Sequence, residues 1–127
     1  MQQKIVQWLY IGAGGALGTL LRGGISEAIT TPFATLFVNS IGSLLLGGMT
    51  AYLYIHSQNK GHLIFGIGFC GSFTTMSMFA ADATQLWMGE TYIDSMAYIG
   101  GSVISGILLA FFGFYILKQW LEKRVSQ

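Results

Sequence analysis

The chain has 127 residues, 53% of them hydrophobic and only 9% charged, with 18 glycines, a single proline and a formal net charge of +1. A soluble domain carries roughly 25% charged residues to hydrate its surface, so an ordinary soluble globule is excluded, and the near-neutral balance gives no basis for nucleic-acid binding. The lone Cys70 excludes an internal disulfide and has no metal-ligand spacing around it.

Four stretches contain no Asp, Glu, Lys or Arg: residues 5–21, 33–55, 61–81 and 95–117. Each is close to the roughly 17–25 residues that cross a hydrocarbon core as a helix. They are too long and too continuously apolar for the alternating strands of an outer-membrane barrel. The fold class expected is therefore all-α: an integral membrane subunit, one domain over 1–127, with four helices at about 5–25, 33–55, 62–88 and 95–118. Four helices enclose too little interior to line a solvated path alone, so an oligomer in the lipid bilayer is expected.

The first run follows Lys4, a pattern shared with secretory signals; the three further runs favour a mature spanning helix. Its "GAGGALG" sets Gly14 and Gly18 as a small-xxx-small pair for close helix packing. It is not a dinucleotide fingerprint, because no strand precedes it and the spacing is wrong. Arg22 closes this helix.

The second run carries Thr35, Asn39 and Ser43 at i, i+4 and i+8, a polar stripe on one helical face. Such groups serve either as glue between helices or as donors toward a transported species. Asn39 suits the second role better, since its amide carries two N–H donors that a membrane core satisfies with difficulty. Gly42, Gly47 and Gly48 continue the packing theme.

The third run contains "GFCGSFTTMSMF", residues 68–79, half of it Gly, Ser or Thr. Hydroxyls there can bond the backbone and interrupt the helix. A break at membrane depth is tolerated only where it is buried in protein or lines a cavity. Freed carbonyls suit a hard cation such as Na⁺, and the positively polarised edge of Phe79, three residues after Met76, suits an anion.

The fourth run places Tyr98 and Ser102 at i, i+4, with Ser105 nearly on the same face, beside Gly100, Gly101, Gly106 and Gly113. No span holds a carboxylate before Asp82, near the end of the third helix. A proton- or cation-coupled transporter usually has one. Neutral donors, with Arg22 to concentrate anions at a vestibule, point instead to a small anion or to packing alone.

The termini and the 2–3 loop carry Lys4, Lys60, Lys118, Lys123 and Arg124, whereas the opposite side has Arg22 with Glu27, Glu90 and Asp94. Positive charge near spans stays cytoplasmic, so both termini are expected inside, with a definite bias. Neither His56 nor His62 lies well within a span, no nucleophile–base pair stands out, and no enzyme is expected.

"GGALGTLLR", "TLFVNSIGSLLLG", "GFCGSFTTMSMF" and "YIGGS" together resemble the Fluc-type (CrcB-like) bacterial fluoride channels in order, spacing and total length. The resemblance implies passive export of fluoride from the cytoplasm across the bacterial plasma membrane, by an antiparallel, inverted dimer with two narrow pathways. It implies a central structural Na⁺ held by the backbone carbonyls of Gly71 and Thr74 from each subunit. It casts Asn39 as a pore donor, Tyr98 and Ser102 as the start of a polar track on the fourth helix, and Arg22 as the vestibule arginine. Thr35, Ser105, Met76 and Phe79 complete the expected fluoride pathway.

This chain departs from the family pattern at two places. The usual pair of phenylalanines is reduced to Phe79 with Met76 in the other position, and Met78 replaces a Ser/Thr between them. The third polar-track position falls on Gly106, beside Ser105. The charge bias suits a subunit that inserts one way and pairs with an oppositely biased homologue, although an identical partner remains open. The alternatives are a small multidrug-type transporter, which needs a Glu within residues 5–21 that is absent here, and a non-conducting partner subunit of a membrane assembly.

Overall fold

The computed structural model describes residues 2–55, 63–89 and 91–125. Helix α1 spans Gln2–Ala28 and α2 spans Phe33–Ile55; a wider, π-type segment, Leu63–Cys70, then runs directly into the single turn α3, Gly71–Phe73. After an interruption at Thr74 and Thr75 the chain resumes as α4, Met76–Gly89, and ends in α5, Tyr92–Val125. No strand occurs among the described residues. The architecture is thus four helical rods, of which the third is broken.

The glycines decide how the rods pair. A methyl group on Gly14 or Gly18 would overlap the backbone of Ile64 or Phe69, so α1 lies directly on the π-type segment. Likewise a Cβ on Gly47 would meet the Ala110 carbonyl and one on Gly113 the Leu44 carbonyl, which brings α2 onto α5. Without bulky side chains between them, membrane helices gain backbone-level van der Waals contact.

The register of these contacts also gives direction. Residues 14, 18 and 22 of α1 meet 64, 69 and 72 in ascending order, so the first and third rods are parallel. Residues 40 and 47 of α2 meet 105 and 110, so α2 and α5 are parallel as well. Residues 39 and 42 meet 75 and 74, so α2 runs antiparallel to the third rod. The chain therefore goes up, down, up, down, and its two described ends lie at the same end of the bundle.

Burial is inverted relative to a soluble protein. The largest fully buried side chains are only Val38, Thr35 and Ser95, whereas Trp8, Leu20 and Phe111 are more than 70% exposed. Extended apolar surface of this kind marks contact with a membrane or a partner. Helices α2 and α5 are each long and apolar enough to span a bilayer. Helix α1 is more polar and glycine-rich, yet its 27 residues reach about 40 Å, and the third rod divides its length at the break. The protein is an all-α membrane protein.

The second hairpin is fixed by polar groups. The buried Ser95 hydroxyl donates to the Ala83 carbonyl at 2.8 Å, tying α5 to α4. Thr91 precedes α5 and forms a reciprocal cap with Asp94: its hydroxyl donates to the carboxylate and accepts the Asp94 N–H. Lys123 and Arg124 close the last turn of α5, where cations suit the helix dipole. Lys60 and Glu90, which enter the charge bias read from the sequence, lie outside the described residues, as do His56 and His62.

Candidate functional site

The break begins where Thr74 turns to an extended conformation, with φ −77° and ψ 157°. Its own N–H and hydroxyl still reach back to the Cys70 carbonyl, at 3.1 and 2.9 Å. Thr75 then caps α4: its hydroxyl accepts the N–H of Met78 at 3.2 Å and lies 3.2 Å from the Ser77 hydroxyl. The remaining polar groups of Thr75 belong to Asn39, whose Oδ1 accepts the Thr75 N–H at 2.8 Å and whose Nδ2 donates to the Thr75 carbonyl at 3.0 Å.

These bonds redirect the donors that an unbroken helix would spend on two carbonyls. In an α-helix the Gly71 carbonyl takes the N–H of residue 75, and the Thr74 carbonyl takes that of residue 78. Here the first goes to Asn39 and the second to the Thr75 hydroxyl. Gly71 is exposed on the surface of the subunit. The two carbonyls expected to hold a cation are among those deprived of their helical donors.

A polar line runs along the facing surfaces of α2 and α5. The hydroxyls of Thr35 and Ser102 lie close to the Tyr98 hydroxyl, yet neither finds a partner in hydrogen-bonding geometry among the described residues. Thr35 is 1% exposed, so no bulk water compensates it. A buried hydroxyl without a partner costs free energy, so the pair is available to a ligand or a water that enters the line. Ser105 donates to the Ser102 carbonyl at 3.1 Å and lies 3.5 Å from the Ser40 hydroxyl, while Gly106 faces Ser43.

Phe79 comes into this line from α4, its ring 5.5 Å from that of Tyr98 and tilted by 33°. Met76 does not: it stands 74% exposed and borders a cavity of about 330 Å³ with Asn39, Gly42, Ser43, Thr74 and Thr75. A second cavity, of about 290 Å³, is lined by Thr31, Gln85 and Asp82, the residue that accepts the Tyr98 hydroxyl. Residues 35, 39 and 43 form one stripe on α2; Thr31, in the turn before that helix, lines the second cavity, and Asn39 and Ser43 line the first. Arg22 is half-buried beside the break rather than in either cavity.

Sequence reasoning singled out Asp82 as an embedded acid but gave it no role. Its carboxylate is 7% exposed and accepts the Tyr98 hydroxyl at 3.3 Å. The signal was its solitude in an uncharged span; what it faces was a matter of packing. Ser40 and Ser95 are single hydroxyls off the stripes, and their bonds to Ser105 and Ala83 give no signal in the spacing. Among the described residues no group of three or more His, Cys, Asp or Glu side chains could hold a metal ion.

The family described as "CrcB-like protein, Camphor Resistance (CrcB)" matches residues 9–114. A protein of Bacillus subtilis named "Fluoride-specific ion channel FluC 2" is 40% identical over 120 residues, covering 91% of this chain and 89% of the relative. A protein of Halalkalibacterium halodurans with the same name is 34% identical over 131 aligned positions, covering 98% and 95%. A Listeria monocytogenes serotype 4b protein named "Fluoride-specific ion channel FluC 1" is 35% identical over 118 residues, covering 86% and 95%.

Proposed function

The chain belongs to the CrcB-like protein family, and on that premise we propose that it is a subunit of a fluoride-selective channel. The observation that carries the reading in this molecule is the pair of buried hydroxyls on Thr35 and Ser102 that lack a hydrogen-bond partner among the described residues. A small anion must exchange its hydration shell for protein donors. Neutral hydroxyls and the Asn39 amide supply those donors without the tight binding that a buried cation would impose. Tyr98 and Ser105 extend the track, Phe79 offers a ring edge, and Met76 borders the cavity next to Asn39.

The flow is passive and outward. Fluoride protonated in acidic surroundings enters the cell as neutral HF, releases its proton to the less acidic cytoplasm, and leaves as the ion. The membrane is the bacterial plasma membrane, with both termini cytoplasmic, because Lys4, Lys118, Lys123 and Arg124 gather at one end of the bundle. No catalytic step is involved.

The redirected carbonyls of Gly71 and Thr74 fit a hard monovalent cation, Na⁺, which takes oxygen ligands. A cation there compensates the carbonyl dipoles that the break leaves without helical donors. Since Gly71 is exposed, two subunits in inverted orientation would each contribute such a pair. The charge bias and the exposed Met76 favour a homologous partner over an identical one, and relatives carrying the numbered names FluC 1 and FluC 2 agree with that choice.

Fluoride efflux from liposomes, followed with a fluoride electrode against chloride, tests the reading. Selective efflux from the chain alone or with a coexpressed homologue supports it. No efflux in either arrangement leaves the non-conducting assembly subunit, which the exposed Met76 also favours.

A further inference from the structure

Arg22 continues the α1 stripe of Gly14 and Gly18 at the next four-residue step. Those glycines seat α1 on the backbones of Ile64 and Phe69, so the following position on the stripe meets the third rod where it breaks. There Nε of Arg22 donates to the Ser72 carbonyl at 3.2 Å, and Nη1 to the Met78 sulfur at 3.5 Å. Ser72 lies before the break and Met78 after it. Arg22 makes no ion pair among the described residues; both of these bonds go to neutral acceptors on the two lips of the break.

The geometry points to Arg22 as a positioning residue: a strap from α1 that grips both sides of the break, with Met78 as its second anchor. The role is distinct from that of a charge that attracts anions, and it rests on the channel reading for what the break accomplishes. The guanidinium is suited to it because its five donors lie in a rigid planar fork. A lysine ammonium on a flexible stem keeps the charge but cannot hold two acceptors at a fixed separation. The Ser72 carbonyl accepts Arg22 where a continuous helix would supply the N–H of Met76. The strap thus stabilises the interrupted backbone that also presents Gly71, Thr74 and Thr75. Met78 departs from the residue type usual in the resembling channels, so its sulfur makes the second anchor a property of this chain.

The test compares wild type with Arg22→Lys, Arg22→Gln and Met78→Leu in liposomes, with efflux recorded across a range of fluoride concentrations. A strap requires both Arg22 variants to lower maximal efflux by about tenfold or more, as loss of a charge-assisted hydrogen bond would, with half-saturating fluoride unchanged. Met78→Leu keeps the volume and removes the acceptor; it lowers maximal efflux in the Arg22 background and adds nothing in the Arg22→Lys background. Wild-type behaviour of Arg22→Lys, a Gln defect that disappears at saturating fluoride, or additive Met78 and Arg22 effects overturns the strap.

Amide hydrogen exchange separates this inference from the channel reading. Exchange at Thr75 and Met78 in detergent-solubilised protein is expected to quicken in Arg22→Lys and in Met78→Leu, whether or not wild type conducts fluoride. Unchanged exchange in a folded variant overturns the strap. Met78→Leu, being volume-conserving, supplies the measurement if Arg22→Lys does not fold.

Discussion

Asn39 holds Thr75 through both halves of its backbone, accepting the N–H at 2.8 Å and donating to the carbonyl at 3.0 Å. One side-chain amide here does what a neighbouring strand does in a ladder. It satisfies an extended residue at membrane depth, where water is not available to do so. Of the two N–H donors on Nδ2, one serves the Thr75 carbonyl, and the other is the donor proposed for fluoride.

Asn39→Ala is therefore expected to cost stability, by about 1–3 kcal/mol for the polar groups it strands, and to reduce fluoride efflux sharply. Ser43→Ala removes a hydroxyl from the same stripe but no partner of the break, and its effect on efflux is expected to be smaller. Efflux traces from liposomes, paired with chemical unfolding of both variants, measure the two effects. Equal loss of efflux in the two variants would remove the distinction drawn between them.

Thr35→Val and Ser102→Ala separate transport from packing. Removing a buried hydroxyl that has no partner relieves a desolvation cost of roughly 1–3 kcal/mol, so unfolding stability is expected to stay level or rise. Efflux is expected to fall, because these hydroxyls are the donors offered to the anion. A variant that gained stability and kept full efflux would make the hydroxyls incidental.

Gly47→Ala and Gly113→Ala are expected to destabilise by about 1–3 kcal/mol, the usual range for overpacking, since each new methyl would meet backbone across the α2–α5 seam. Gly23→Ala, where a Cβ finds nothing within 4 Å, serves as the control. It is expected to be neutral or slightly stabilising, because alanine is the better helix former. Denaturant midpoints of the three variants decide the matter.

Met76→Phe probes the partnership. If the exposed Met76 limits this chain as a self-partner, the phenylalanine variant is expected to raise efflux when the chain is reconstituted alone. Wild type should reach a comparable level only when coexpressed with an oppositely charge-biased homologue. Efflux of wild type alone that already equals the coexpressed pair would remove the case for a distinct partner.

The parts that could be read from the sequence share one property: they depend on spacing along the chain. The uncharged runs announced the membrane rods, the 35–39–43 and 98–102 intervals placed donors on single faces, and the Gly-Ser-Thr density at 68–79 marked where a helix could fail. What the donors face was not legible in that way. Asp82 read as a solitary acid, and its partner Tyr98 came from another helix; Arg22 read as a vestibule charge, and its two bonds, one to each lip of the break, were not legible from spacing. Met76 and Phe79 read as a pair three residues apart, but Phe79 packs at a tilt against Tyr98 while Met76 stays exposed.

By itself, then, the amino-acid order determined solvent, class and period: a chain with 9% charged residues cannot hydrate a soluble surface, and helical repeats follow from backbone geometry alone. Tertiary structure decided the allocation of hydrogen bonds. Whether Gly71 and Thr74 keep their helical donors depends on Asn39 arriving from another rod and on the cap set by Thr75. Glycine contacts on α1 and α2 set how closely the rods approach, and only that approach brings groups dozens of residues apart within bonding distance.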